Sequence, residues 1–361
     1  MSWIRNKIFS LLIITVSCLF GAVVIEIGLR IINSKNSWAV TEEANIIRNF
    51  QFSYDISNLY KSDVSVVHYK RNEFGLRDDC ANPRDIEILT IGGSTTDQRY
   101  VPFEFTYQTI LQQRLRAVKS NFGCVSNAGI DGHSSWGHIF TFDKWLPLIP
   151  DLKPKFIILY VGINDANFRR TILPNKGFDL NYGSDFKSYL KHFQVVRTLL
   201  PIYRLLSQKS VNSSAAYAAH VPQHYQDSDY IVTMANKETE RLSAENALAF
   251  KSRMNEILNK IHMLNAVPVC VTQPHRFVIT KNDGQMYGIP NVLGDGFSGI
   301  DYDFSIQRLN YVLFELCGDN TVDFYSHNFI NSHFYDGVHT TSLGSREIGE
   351  KLANFFITRF Y

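Results

Sequence analysis

At 361 residues, with 45% hydrophobic and 19% charged residues, the chain has the composition of a globular protein with room for one large domain or two small ones, and is not disordered. A formal net charge of +2 and the lack of any Lys/Arg block exclude the electrostatic footprint of a nucleic-acid binder.

In chain order, residues 1–7 form a short head carrying Arg5 and Lys7. Residues 8–25 then run without a charge, followed by Glu26 and a second apolar patch at Ile31 and Ile32. That length suits a membrane helix and is long for the apolar core of a cleaved signal, and no clean small-x-small site follows. The reading is an uncleaved signal anchor over residues 8–32. Arg30 and Lys35 balance Arg5 and Lys7, so the positive-inside count decides little. The short head before a long remainder predicts a single pass with the main domain outside the cytoplasm.

Residues 33–85 read as a polar, aromatic stalk and packing segment with one strand-like patch, Val64 to Tyr69. An α/β rhythm begins at residue 86. Short apolar runs at 86–91, 124–127, 156–161, 267–272 and 321–325 read as buried strands, each ending in small or polar residues. Helical spacing covers 105–119, 233–264 and 342–360. Residues 167–230 break the rhythm as an insertion near the expected site. Strands alternating with helices predict a parallel sheet covered on both faces, with ligands bound beyond the carboxyl ends of the strands.

Of five cysteines, Cys18 lies in the span and no C-x-x-C occurs. Cys80, Cys124, Cys270 and Cys317 allow three connectivities. Cys80 with Cys124 and Cys270 with Cys317 is the simplest, free buried thiols are an equal alternative, and an even number suits an oxidising compartment.

The strand ends carry the chemistry. After the first comes Gly92-Gly93-Ser94, a serine at a strand-to-helix turn where a helix N-terminus would stabilise an anion. Taken alone, Ser94 is equally a helix cap. The turn is neither a phosphate loop nor the G-x-S-x-G elbow. After the second strand, Gly129 lets the backbone approach closely. After the third, Asn164 offers an amide donor suited to an oxyanion hole. After the fifth, Asp336 and His339 are spaced so that the carboxylate can orient the imidazole. Together they supply nucleophile, donors and an acid–base pair.

In these four blocks (Gly93-Ser94, Gly129 in NAGIDG, Asn164 in GIND, Asp336 and His339 in DGVH) the chain resembles the SGNH, or GDSL-like, hydrolases over residues 86–361. Where that family's block often reads G-D-S, this chain reads G-G-S, which resembles bacterial envelope members. The resemblance implies a three-layer α/β/α sandwich around a five-stranded parallel sheet, of flavodoxin-like type. It implies a serine esterase with Ser94 as nucleophile, His339 as base, Asp336 as its orienting acid, and Ser94, Gly129 and Asn164 around the oxyanion. The implied substrate is an acyl ester, O-acetyl foremost, on a small molecule or an envelope glycan, with no cofactor and no metal. The implied place is the bacterial inner membrane, with the domain in the periplasm.

Rival readings remain open at this level. An O-acetyltransferase would use the same acyl-enzyme with a polysaccharide acceptor, and a glycan-binding assembly component would keep the fold without the activity. His327, His333 and His339 beside Asp323 and Asp336 could ligate zinc, though no H-E-x-x-H is present. His275 is read as a loop histidine bonding backbone, and Trp136 as a possible sugar platform. Oligomeric state is not legible.

Overall fold

The structure, a computed structural model, describes residues 2–34, 38, 41, 44–168 and 225–361. The expected insertion therefore lies almost wholly outside the described residues. The chain divides into two compact units, one of which (Ala44–Asp179 with Val221–Tyr361) holds all the described strands.

In the first unit, Ser2–Ser34 forms one continuous helix, α1. Its apolar side chains at Phe9, Ile13, Ile14, Val16, Phe20, Val23, Val24, Ile25 and Ile27 are all exposed. Among the residues described, no helix is long and apolar enough to cross a membrane. Several α1 side chains, those of residues 2–8, 11, 12, 19 and 30–34, lie outside the described set.

The second unit is built on five parallel strands: β3 (Ile86–Gly92), β4 (Cys124–Asn127), β5 (Phe156–Tyr160), β6 (Val267–Val271) and β9 (Thr321–Val322), in the order β4-β3-β5-β6-β9, while β7 (Val278–Thr280) and β8 (Met286–Gly288) form a small antiparallel pair. All five expected strands are present, the last shortened to two residues. Registers such as Gly92 opposite Tyr160, and Thr90 opposite Asn127, bring the carboxyl ends of β3, β4 and β5 to one edge. Loops leaving that edge can therefore converge.

Both faces of the sheet are covered, which is why these strands read as apolar runs without alternation. On one face pack α3 (Tyr107–Val118) and the terminal α7 (Ser342–Phe360). Tyr107, Leu111 and Leu115 of α3, and Ile348, Leu352 and Phe356 of α7, recur every four residues and meet Ile88, Ile158, Val269 and Val271. Leu343, in the first turn of α7, is exposed. α5 (Thr239–Met263) and α6 (Gly299–Cys317) pack on each other and on β6, and the short α4 (Ser135–Phe140) packs on α5. Cys80–Cys124 and Cys270–Cys317 are disulfides, the simplest of the expected pairings.

The expected stalk is more structured than its composition suggests. β1 (Phe50–Asp55) and β2 (Val66–Arg71) form an antiparallel pair in the same compact unit as the sheet. Ile56, Leu59, Tyr60 and Val67 are buried with Tyr100 and Tyr335 in a small second core. Only β2 was legible from sequence; β1 carries exposed residues at every second position and resembles a polar linker.

Candidate active site

Ser94 opens a single-turn helix, α2 (Ser94–Asp97), directly after β3. Gly93 is the N-cap and Ser94 the first helical residue, so Ser94 does not cap its helix. Its hydroxyl instead meets His339, with Oγ 2.7 Å from Nε2. On the other side of the ring, His339 Nδ1 lies 2.6 Å from Asp336 Oδ2. The remaining carboxylate oxygen of Asp336 accepts the N–H groups of Val338 at 2.9 Å and His339 at 2.7 Å. That turn holds the acid and the ring in one frame three residues long.

Electrostatics favour a charge-separated pair. Burial works against a charge on Asp336, but the His339 imidazole and the two backbone N–H groups outweigh it and lower its pKa. Burial likewise opposes protonation of His339, but Asp336, assisted by Asp131, lifts its basicity above the ordinary value. An imidazole so placed can accept the Ser94 proton and hold it as imidazolium.

The sequence pattern of the GDSL-like Lipase/Acylhydrolase family matches residues 88–352. The chain belongs to that family. It is a hydrolase of ester bonds. Among solved structures it is similar to the lipase Lip_vut3 from a goat rumen metagenome, at 12% identity and TM-score 0.43, over 75% of this chain and 97% of that one. It is also similar to the acetyl xylan esterase AlAXEase, at 15% identity and TM-score 0.39, over 74% and 98%. A third likeness is the psychrotrophic esterase EstA from Pseudoalteromonas sp., at 12% and 0.39, over 75% and 96%. No curated protein matches the chain.

The amide of Asn164 stands beside the serine turn of this GDSL-like hydrolase. A Cβ built on Gly93 would lie 2.7 Å from Asn164 Nδ2 and 3.1 Å from the His133 carbonyl, so a side chain here would have to push the Asn164 amide aside. Asn164 Nδ2 also donates to His133 O at 3.0 Å, which fixes the amide's orientation.

Gly129 requires a correction. Its N–H donates to Asn127 Oδ1 at 2.8 Å, and its carbonyl accepts from Arg71 Nη2, so its peptide groups are engaged in the scaffold. A Cβ there would lie 2.4 Å from the Asp97 nitrogen and 2.7 Å from Thr96, so the glycine lets the β4 loop approach α2. The backbone that reaches Gly93 lies further along the loop, at the His133 carbonyl. Gly132 has φ +79°, and the signal for it was the second glycine of NAGIDG.

Sequence reasoning also missed a buried charge cluster at the base of the nucleophile helix. Asp97 Oδ1 accepts Tyr69 Oη–H at 2.5 Å and Arg71 Nη2 at 2.6 Å, while Oδ2 accepts Arg99 Nη2 at 3.0 Å. Arg77 Nη1 donates to the carbonyls of Asp97 and Gln98 at 2.8 and 2.7 Å, and its Nη2 to that of Val101 at 2.7 Å. Tyr69, Arg71 and Arg77 all belong to the supposed stalk. Asp165, of the GIND block, is a scaffold residue too: its carboxylate accepts the Ser135 N–H at 3.0 Å and meets Arg253 at 3.3 Å.

The histidines weighed as zinc ligands bond separately. His327 pairs with Glu347 at 2.9 Å, and His333 Nδ1 accepts the Ile330 N–H at 3.3 Å. Among the described residues, no group of three His, Cys, Asp or Glu is placed to hold a metal ion. His275 is buried between Asp303, at 3.0 Å, and the Phe277 N–H, at 3.1 Å.

Proposed function

We propose that this hydrolase is a membrane-anchored serine esterase that removes short acyl groups, O-acetyl foremost, from an envelope glycan. The observation that carries the catalytic part is the unbroken run from Ser94 Oγ through His339 to Asp336, at 2.7 and 2.6 Å. His339 takes the Ser94 proton as Oγ attacks the ester carbonyl, and returns it to the leaving alcohol. The acyl-enzyme is then cleaved by water, with His339 again as base. The Ser94 N–H, the Asn164 amide and a backbone donor from Gly132 surround the oxyanion, and the positive end of α2 adds to their field.

The envelope setting rests on three supports. The uncharged run at residues 8–25 lies within one continuous helix, and exposed apolar side chains along such a helix are costly in water. Two disulfides fit an oxidising compartment such as the periplasm. The G-G-S block resembles envelope members of the family.

A panel of nitrophenyl esters of increasing chain length, with full-length protein in detergent, tests the reading. The expected result is a preference for acetyl, labelling of Ser94 by a fluorophosphonate, and loss of about 10⁴-fold or more in kcat for Ser94→Ala at unchanged melting temperature. A preference for long chains refutes the glycan reading, and an active, folded Ser94→Ala protein refutes the nucleophile. Transferase chemistry shares the acyl-enzyme, so addition of an acceptor glycan shows whether acyl groups go to water or to sugar.

A further inference from the structure

Three aromatic rings lie in a stack that ends on the candidate base. Tyr335 lies 5.6 Å from His339, centroid to centroid, with the planes 10° apart. On its other flank Tyr60 lies 5.8 Å from Tyr335, again 10° from parallel. Tyr335 and Tyr60 are both buried. Tyr60 is held in turn by its hydroxyl, which donates to the Tyr100 carbonyl at 2.7 Å and lies 3.1 Å from Ser342 Oγ. Tyr335 N–H donates to the His339 carbonyl at 3.1 Å, so backbone and ring constrain the same residue. Tyr60 comes from the segment before β2 and lies outside the stretch matched to the family.

We propose that Tyr335 and Tyr60 are positioning residues for the base: Tyr335 presents its π face to His339, and Tyr60 clamps Tyr335 in place. This rests on the reading of His339 as the base. The physical argument is that a ring face is the negative part of an aromatic quadrupole and attracts a cation, here the imidazolium present only while Ser94 is being acylated or deacylated. Tyr335 itself stays neutral, because burial and the neighbouring Asp336 hold its proton. The stack therefore favours protonation of His339 without adding a charge to the site. It also blocks rotation of the ring out of the line between Asp336 and Ser94.

Charged groups on three loops also act on the imidazole. Asp336 on its own loop and Asp131 on the loop after β4 raise its basicity, whereas Arg99, after α2, lowers it. Arg99 and Asp131 pair at 3.0 Å, so their opposing effects partly cancel at His339. The Tyr60–Tyr335 pair contributes through the ring face instead.

The experiment uses full-length protein in detergent and two readouts. One is an NMR titration of the His339 ring, assigned by loss of its signal in His339→Gln; the other is the pH profile of kcat/KM on nitrophenyl acetate. Tyr335→Leu is expected to lower the His339 pKa by about half to one and a half units, and kcat by roughly threefold to thirtyfold. Tyr335→Phe keeps the ring and should restore both to near wild type. Tyr60→Leu should shift the titration in the same direction by a smaller amount. If Tyr335→Leu does not fold, Tyr335→Met, of similar volume but without a π face, is read in its place. A folded Leu or Met variant whose His339 titrates as in the wild type overturns the proposal, as does a Phe variant that behaves like the Leu one. The NMR readout needs no turnover, so an inactive wild-type enzyme would sink the esterase reading separately.

Discussion

Replacing Asp97 by Asn tests whether the buried cluster holds the nucleophile helix. Asp97, Arg71 and Arg99 have side chains only 1–4% exposed, so removing the carboxylate's charge leaves the Arg71 guanidinium without its carboxylate and Arg99 with Asp131 alone. Breaking such a buried pair costs about 3–5 kcal/mol, a large part of a typical folding free energy of about 5–15 kcal/mol. Part of that cost titrates. Burial raises the Asp97 pKa, but Arg71 and Arg99 outweigh it and hold it at about 2, against an ordinary 3.8. A shift of that size is worth about 2 kcal/mol, present in full above the unfolded-state value and lost as pH falls through the folded-state one. The rest reflects an Asn amide facing arginines, and does not titrate.

Thermal unfolding of wild type and Asp97→Asn followed by circular dichroism, from pH 7 to pH 2, measures both parts. The variant should melt about 6–10 °C lower at pH 7, and the gap should narrow as the wild type loses its ionised carboxylate. Activity should fall along with it, because Arg77 grips the carbonyls of Asp97 and Gln98 at the end of α2. A gap of under 2 °C at pH 7, or one that widens in acid, would refute the account of the cluster.

Three further outcomes follow from the site. kcat/KM should rise with pH through an apparent pKa above 6.5, since His339 must be neutral to accept the serine proton and its basicity is raised; a limb below 6.5 would contradict this. Asn164→Ala should lower kcat by about 10²–10³, as for one oxyanion donor, and a loss under tenfold in steady-state assays would remove it from that role. Gly129→Ala should destabilise the protein by about 1–3 kcal/mol in denaturant titrations, because its methyl group would displace α2; unchanged stability would show that the loop yields freely.

Much of this protein was legible before folding because local rules decide it. The five buried strands are apolar runs bounded by small residues, and α7 was placed at Ser342–Phe360 from its periodicity alone. Ser94, Asn164, Asp336 and His339 could be singled out because a parallel sheet delivers its strand ends to one edge. Gly129 was misjudged because sequence shows where a glycine is, not which neighbour needs the space. Only the packed β4 loop reveals that Gly129 admits α2 while His133 reaches the serine turn.

The supposed stalk shows the same limit more strongly. Its polar and aromatic residues carry no periodic pattern that marks them as interior. Yet Tyr69, Arg71 and Arg77 are buried around Asp97, and Tyr60 around Tyr335. Charges and hydroxyls become interior only when partners far along the chain neutralise and bond them. Sequence thus determined which residues could do the chemistry. The tertiary structure alone decided which residues hold them in place, because buried pairing depends on contacts that no local pattern encodes.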